Sequence, residues 1–171
     1  ATGLVGLLMV CGLAFSGCNA LGEGNKANGS RAVALVAQWN FDEGSGTTIS
    51  DSSGVGNTGS IQGATWTTGI SGTSLLLDGT NDYAEVPDDD SLDLTGDFTI
   101  SAWINPATVT NLISPILTKH KAGDNSEGSW TLALLRQGSQ QKVKFQWDPF
   151  NSNSEIISNS NIEPNAWTFV T

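Results

Sequence analysis

The stretch LLLDGTNDYAEVPDDDSLDLTGDFTISAWINP, residues 75–106, constrains the fold of this chain more than any other segment. Its apolar run, Leu75 to Leu77, stops at Asp78-Gly79, a pair that tolerates positive φ and so favours a reversal. A short strand is expected over Tyr83 to Val86, closing at Pro87, which has no N–H to give to a ladder. After an acidic loop, Phe98, Ile100, Ala102 and Ile104 recur with period two and define one strand face. Trp103 points the other way. A strand apolar on both faces belongs inside a sandwich rather than on its outside.

The same grammar runs through the rest of the chain. Ala37, Trp39 and Phe41 alternate with Gln38 and Asn40, the pattern of a half-buried first strand. Asp42 to Asn57 is a Gly/Ser/Asp turn region enclosing a short strand at 47–50, and another strand is expected over Ser60 to Trp66. Leu112 to Lys119 carries Pro115 among aliphatic residues, which predicts an edge strand or a bulge. Trp130 to Arg136 and Lys142 to Trp147 read as a hairpin. In its second arm Val143, Phe145 and Trp147 share one face, opposite Lys142, Lys144 and Gln146. Glu155 to Ser158 and Ala166 to Thr171 complete the series. Short strands joined by turns, without a long segment of helical period, predict an all-β fold, an antiparallel two-sheet sandwich. Six Trp and twenty Gly in 171 residues fit this reading, because the aromatics supply burial and the glycines supply turns.

Charge narrows the choice of partners. The net charge is −10, and from Ala32 to Thr118 there is no Lys or Arg. Asp42, Glu43, Asp51, Asp78, Asp82, Glu85, Asp88, Asp89, Asp90, Asp93 and Asp97 all fall within that span. Such a surface repels phosphate backbones and anionic lipid, which argues against nucleic acid and against a membrane surface as partners. It attracts cations, although acids also serve simply to solvate loops.

At the other end, Leu4 to Phe15 is a nearly unbroken apolar run, shorter than the ~20 residues of a membrane-spanning helix. It leads into Phe15-Ser16-Gly17-Cys18, which resembles a bacterial lipobox. Phe15 stands where an aliphatic residue is usual. The implied product is a lipoprotein acylated at Cys18, with an ordinary cleavage near Ala20 as the alternative. Residues 1–18 are then a signal peptide, 19–35 a Gly/Asn-rich tether and 36–171 the domain. Cys11 and Cys18 both lie in the leader, so the domain holds no disulfide and must rest on its apolar core. No initiating Met or basic segment precedes Leu4, and Trp167 to Thr171 ends within a strand pattern. The expectation is a fragment truncated at both ends, lacking C-terminal strands.

DGTNDYAEVP followed by SLDLTGDFTISAWINP closely resembles the laminin-G-like branch of the concanavalin A-like lectin/glucanase superfamily. QWNFDEGSGTTISDSSGVGNTGSI upstream and Asn165-Ala-Trp-Thr-Phe-Val170 downstream are similar to the opening and late strands of these domains. The resemblance implies a jelly roll, and a binding or interaction module more often than an enzyme. In related pentraxin-like and laminin-G-like domains an acid/amide pair equivalent to Asn81-Asp82 belongs to a calcium site. Here Asp78, Asn81 and Asp82 are the candidate calcium ligands. Calcium takes oxygen donors from flexible loops, while the same residues can serve as plain turn formers through side chain–backbone hydrogen bonds.

Catalysis finds little support in the residues. No strand carries the alternating carboxylates from which retaining glycosidases build a pair ~5–5.5 Å apart. The single histidine, His120, cannot form a multi-histidine zinc site. For a glycan, the candidate ligand-binding residues are Trp147, Asp148, Phe150 and Asn151, where aromatic rings adjoin a loop rich in hydrogen-bonding groups. Trp103, Trp130, Trp147 and Trp167 all lie on strands, where core packing is the default, and Trp147 is the exposed candidate because it runs into that polar loop. The functional expectation is a non-catalytic module that binds a polysaccharide or a surface protein, held to a membrane only by an N-terminal lipid. The alternatives are an accessory domain of a glycan-processing enzyme and a structural unit of an adhesin.

Overall fold

The computed structural model describes residues 7–8, 16–17, 34–94, 97–119, 130–147 and 154–171. Among these residues the only helical element is one 3-10 turn, and none is long and apolar enough to cross a membrane. The strands are β1 (Leu7–Leu8), β2 (Ser16–Gly17), β3 (Ala34–Leu35), β4 (Thr48–Ile49), β5 (Gly59–Gln62), β6 (Thr65–Thr68) and β7 (Thr73–Leu76). They continue with β8 (Tyr83–Glu85), β9 (Ala102–Ile104), β10 (Ile113–Lys119), β11 (Trp130–Gln137), β12 (Gln140–Trp147), β13 (Glu155–Ile157) and β14 (Thr168–Val170). All pairings are antiparallel. The largest sheet has the order β10-β11-β12-β13, and smaller ladders are β1-β7-β6, β4-β5-β8, β14-β9 and β2-β3.

The core lies between these ladders. Leu132 and Leu134 on β11, Ala102 and Ile104 on β9, Val170 on β14, Ile49, Ile61 and Leu75 meet Trp39 and Phe41 in one buried cluster. The period-two reading of residues 98–104 gives the correct inward face, with Ile100, Ala102 and Ile104 buried. The ladder itself covers only Ala102 to Ile104. Trp103 points outward, half-buried, with its ring 5.3 Å from that of Phe169 across the β9–β14 pair. Residues 37–41 show the expected alternation of burial, yet they form only an isolated bridge, Trp39 to Asp51.

Two local details follow from residue type. The strand expected over 60–66 is broken into β5 and β6 at Gly63, where φ is +78°. The positive φ favours glycine there, and a Cβ would also displace the Asp82 carboxylate. Pro115 lies on β10, the outermost strand of its sheet, and the register shifts between Pro115 and Leu117. Edge position and bulge are both present, as a residue without an N–H demands. The hairpin is tighter than expected. β11 and β12 extend to a two-residue turn, Gly138-Ser139, with Gly138 at φ +62°.

Candidate functional site

The long hairpin sets the position of the aromatic candidates. Trp130 and Trp147 are register partners at the end of the β11–β12 ladder, away from the turn. Val143, Phe145 and Trp147 share one face of β12, the face that packs toward the core. The rings step outward in sequence. Phe98 lies 6.3 Å from Trp130, Trp130 lies 6.3 Å from Phe145, and Phe145 stacks on Trp147 at 6.2 Å with 28° between planes. Trp130 is buried at 5% exposure, whereas Trp147 is 45% exposed. Core packing thus holds for Trp130, and Trp147, the exposed candidate, is half exposed. Trp103 and Trp167 are half-buried. An indole held on one side by Phe145 offers a rigid π surface on its open side.

Asp148, Phe150 and Asn151 lie outside the described residues, as do His120 and Cys18. The Trp147 N–H donates to the Ser154 carbonyl at 3.0 Å.

Asp78, Asn81 and Asp82 are brought together by one tight turn between β7 and β8. Asp78 Oδ1 accepts the N–H of Thr80 at 2.8 Å and that of Asn81 at 3.4 Å. Asp82 Oδ2 accepts the Asp78 N–H at 2.9 Å. One oxygen of each carboxylate therefore holds backbone, Asp78 in the manner of an Asx turn and Asp82 by closing the loop back onto its start. Gly79, Thr80 and Asp82 sit on the rim of a cleft of about 720 Å³ between β8 and β10, whose floor includes Trp39, Phe41, Leu75 and Ile104. Trp147 does not line that cleft.

Two further acid sites escape sequence reading. The half-buried Asp51 is the hub of the first loop. Its Oδ1 accepts the N–H groups of Gln38 and Ser53, both at 2.9 Å. Its Oδ2 accepts the Ser53 hydroxyl at 2.8 Å and the N–H groups of Gly56 and Asn57 at 3.0 and 2.8 Å. Burial alone would raise the Asp51 pKa, but the hydrogen bonds from Gln38, Ser53 and Asn57 outweigh it and hold the pKa at about 2. The only local signal is an Asp followed by small residues, which does not reveal how many amides converge. At the other end of the basic-free span, Lys119 is buried on β10 and pairs with Asp88 and, at 3.2 Å, with Asp93. Burial works to lower its pKa, and the hydrogen bonds to Asp88 and Asp93 prevail and raise it. The first cation after the acidic stretch is thus folded back onto it. Asp89 caps the 3-10 turn Asp90–Leu92 and accepts the Ser91 N–H at 2.9 Å, which lowers its own pKa.

Among the described residues no group of three or more His, Cys, Asp or Glu side chains is arranged to hold a metal ion. A family profile described as the concanavalin A-like lectin/glucanases superfamily matches residues 78–171, more than half of the chain. No curated protein matches the chain, and no solved structure does.

Proposed function

Because this chain belongs to the concanavalin A-like lectin/glucanase superfamily, whose domains are in general carbohydrate- or protein-binding modules, we propose that it binds a glycan without processing it. The observation that carries this reading is Trp147, half exposed at the end of an aromatic series and stacked on Phe145. The C–H bonds on one face of a pyranose ring carry slight positive charge and meet the negative face of an indole. Hydroxyls at the ring edge need donors and acceptors, and the segment 148–153, with Asp148, Asn151 and Asn153, supplies them in sequence. Phe145 holds the indole in place beforehand, so little rotamer freedom is lost on binding.

In this proposal the domain is exported on a lipoprotein leader and acylated at Cys18. Asp78, Asn81 and Asp82 take calcium with the carboxylate and amide oxygens that their turn leaves free. The ion then steadies the β7–β8 connection rather than reacting with the ligand. Affinity electrophoresis through gels containing hydroxyethylcellulose, xylan or galactomannan tests the glycan reading. The natural protein should be retarded by at least one of them. Trp147→Ala should weaken that binding by ~30-fold, which corresponds to about 2 kcal/mol. Equal retardation of Trp147→Ala and the natural protein would remove the platform from this account.

A further inference from the structure

The cleft between β8 and β10 is walled by two strands that each stand last in their sheet. The ladders run β4-β5-β8 and β10-β11-β12-β13, so neither wall has a strand on its outer side among the described residues. Both open edges carry backbone groups that no ladder uses. The Ile61 N–H donates to the Thr47 carbonyl, which turns the Ile61 backbone toward β4 and leaves Ser60 and Gln62 to pair with Glu85 and Tyr83. By the alternation of an antiparallel ladder, the N–H and C=O of Ala84 then point away from β5. On β10 the Leu112 carbonyl accepts the Arg136 N–H, so Ile113 turns its N–H and C=O away from β11, and Pro115 turns out a carbonyl alone. The inner side of β8 is open as well. Ala84 is the register partner of buried Ile61 and shares its face, yet Ala84 is exposed, as are Tyr83 and Glu85. Beyond it lies the apolar floor, with Phe41, Leu75 and Ile104.

We propose that this cleft receives an extended segment of a partner protein, added as a strand between β8 and β10, with apolar side chains alternating with Lys or Arg. In this mode of recognition main-chain hydrogen bonds give affinity, and every second side chain gives selectivity. A strand standing there sends one set of side chains toward Phe41, Leu75 and Ile104, which calls for apolar residues, and the other set out on the face of Tyr83 and Glu85. Charge decides the second set. Asp82, Glu85 and Asp88 line the cleft, and Lys119, the one cation among its described lining residues, is already held by Asp88 and Asp93. Glu85 and Asp82 have no cationic partner among the described residues, so a basic strand is drawn in and an acidic one repelled. β10 is seven residues long and sets the length of the segment, ~23 Å at strand rise. Pro115 withholds an N–H from the β10 edge, whereas β8 carries no such block, which makes β8 the stronger template. The cleft shares no residue with the Trp147 platform, so this inference stands apart from the glycan reading.

The test combines fluorescence anisotropy with amide exchange read by NMR, on the natural protein. The probes are fluorescein-labelled Lys-Val-Lys-Val-Lys-Val-Lys, Glu-Val-Glu-Val-Glu-Val-Glu and the block Lys-Lys-Lys-Lys-Val-Val-Val. The alternating basic peptide should bind with a Kd in the micromolar range, and the other two about tenfold more weakly or worse. The block peptide carries the same charge, so it removes general attraction to an acidic protein. The Ala84 and Ile113 amides should exchange freely in the protein alone and become protected with the alternating basic peptide. Ala84→Pro deletes an N–H that β5 does not use; it should weaken binding by roughly tenfold while Tyr83 and Glu85 stay protected by β5. Glu85→Gln, which leaves the backbone untouched, should weaken binding by about threefold at an unchanged melting temperature. Trp147→Ala should bind the peptide as the natural protein does. The inference is overturned if the alternating basic peptide binds no better than the block, if Ala84 is already protected before any peptide is added, because a strand of the same chain then fills the cleft, or if neither Ala84→Pro nor Glu85→Gln weakens binding.

Discussion

Asp51→Asn asks the most direct question of this fold, because one carboxylate closes its first loop. Five donors converge on the side chain, two on Oδ1 and three on Oδ2. An asparagine must turn its NH2 toward one of the two sets, leaving two or three donors facing another donor. The charge is lost as well. Lowering the pKa from 3.8 to about 2 corresponds to ~2.4 kcal/mol at 1.36 kcal/mol per unit. Asp51 is half-buried, and water screens part of this, so ~1–1.5 kcal/mol is the realistic electrostatic share. Donor–donor conflict adds ~1 kcal/mol or more. Asp51→Asn should therefore cost about 2–3 kcal/mol near neutral pH, a fall of roughly 5–10 °C in Tm for a domain of this size.

The sign with pH is fixed by the direction of the shift. A carboxylate whose folded pKa is depressed contributes stability above its unfolded pKa near 3.8 and loses it as pH falls through about 2. Urea unfolding followed by tryptophan fluorescence at pH 7, 4 and 2 should show the gap between natural protein and variant narrowing toward acid. At pH 2 the folded-state carboxyl is about half protonated, so the residual gap is mostly the donor–donor part with a small electrostatic remainder. Asp90→Asn, an exposed carboxylate in the acidic turn, serves as the comparison and should change little. A variant as stable as the natural protein at pH 7, or a gap that is the same at all three pH values, would refute the reasoning.

Lys119→Ala should destabilise by about 2–4 kcal/mol in urea, because it leaves Asp93 half-buried beside an empty volume and frees Asp88; Lys119→Arg should recover part of the loss. Gly63→Ala should cost about 1–3 kcal/mol in the same assay, from positive φ and collision with Asp82, and little loss would mean that the β5–β6 break is misplaced. Calcium at a hundredfold excess over its Kd should add ~2.7 kcal/mol to stability against chelator at matched ionic strength; Asp82→Ala should abolish the difference, and identical melting in calcium and chelator would strike out the metal. Cys18→Ser expressed in the host should leave the membrane fraction, and unchanged detergent partitioning would remove the lipid anchor.

What the sequence shows well is whatever repeats at period two. Ile100, Ala102 and Ile104, the shared face of Val143 and Phe145, and the edge position of Pro115 all follow from alternation or from a missing N–H. Strand ends are less legible, since they depend on which partner lies alongside. Phe98 and Ile100 pack inward without entering a ladder, and Trp39 is buried with a single bridge. Gly63 shows why residues 60–66 read as one strand. The break coincides with the positive φ of Gly63, a conformation that the apolar and polar pattern of those residues does not reveal. The partners of Gln141, Val109 and Ile162, are remote in sequence and equally out of reach of a local pattern.

The acidity of the chain reads differently once the partners are known. Asp51 closes the first loop, Asp78 and Asp82 close the β7–β8 turn, Asp89 caps the 3-10 turn, and Glu43 accepts the Ser50 N–H at 2.7 Å. A fold made of short strands has many turns, and each turn leaves amides without ladder partners. Short acidic side chains satisfy those amides with charge-assisted bonds, and Lys and Arg cannot, having no acceptor. Much of the acid excess is therefore a consequence of fold geometry, and a cation is only one way to offset the repulsion it creates. Lys119, drawn in against Asp88 and Asp93, is another. At the β7–β8 turn the two uses are compatible. Asp78 and Asp82 each hold backbone with one oxygen, and the other oxygen of Asp82 packs against Gly63, so an ion there would need that carboxylate to turn. The calcium measurement therefore separates a turn that is merely closed from one that is closed and loaded. Asp82→Ala lowers stability in both cases, and only in the loaded turn does the loss depend on calcium.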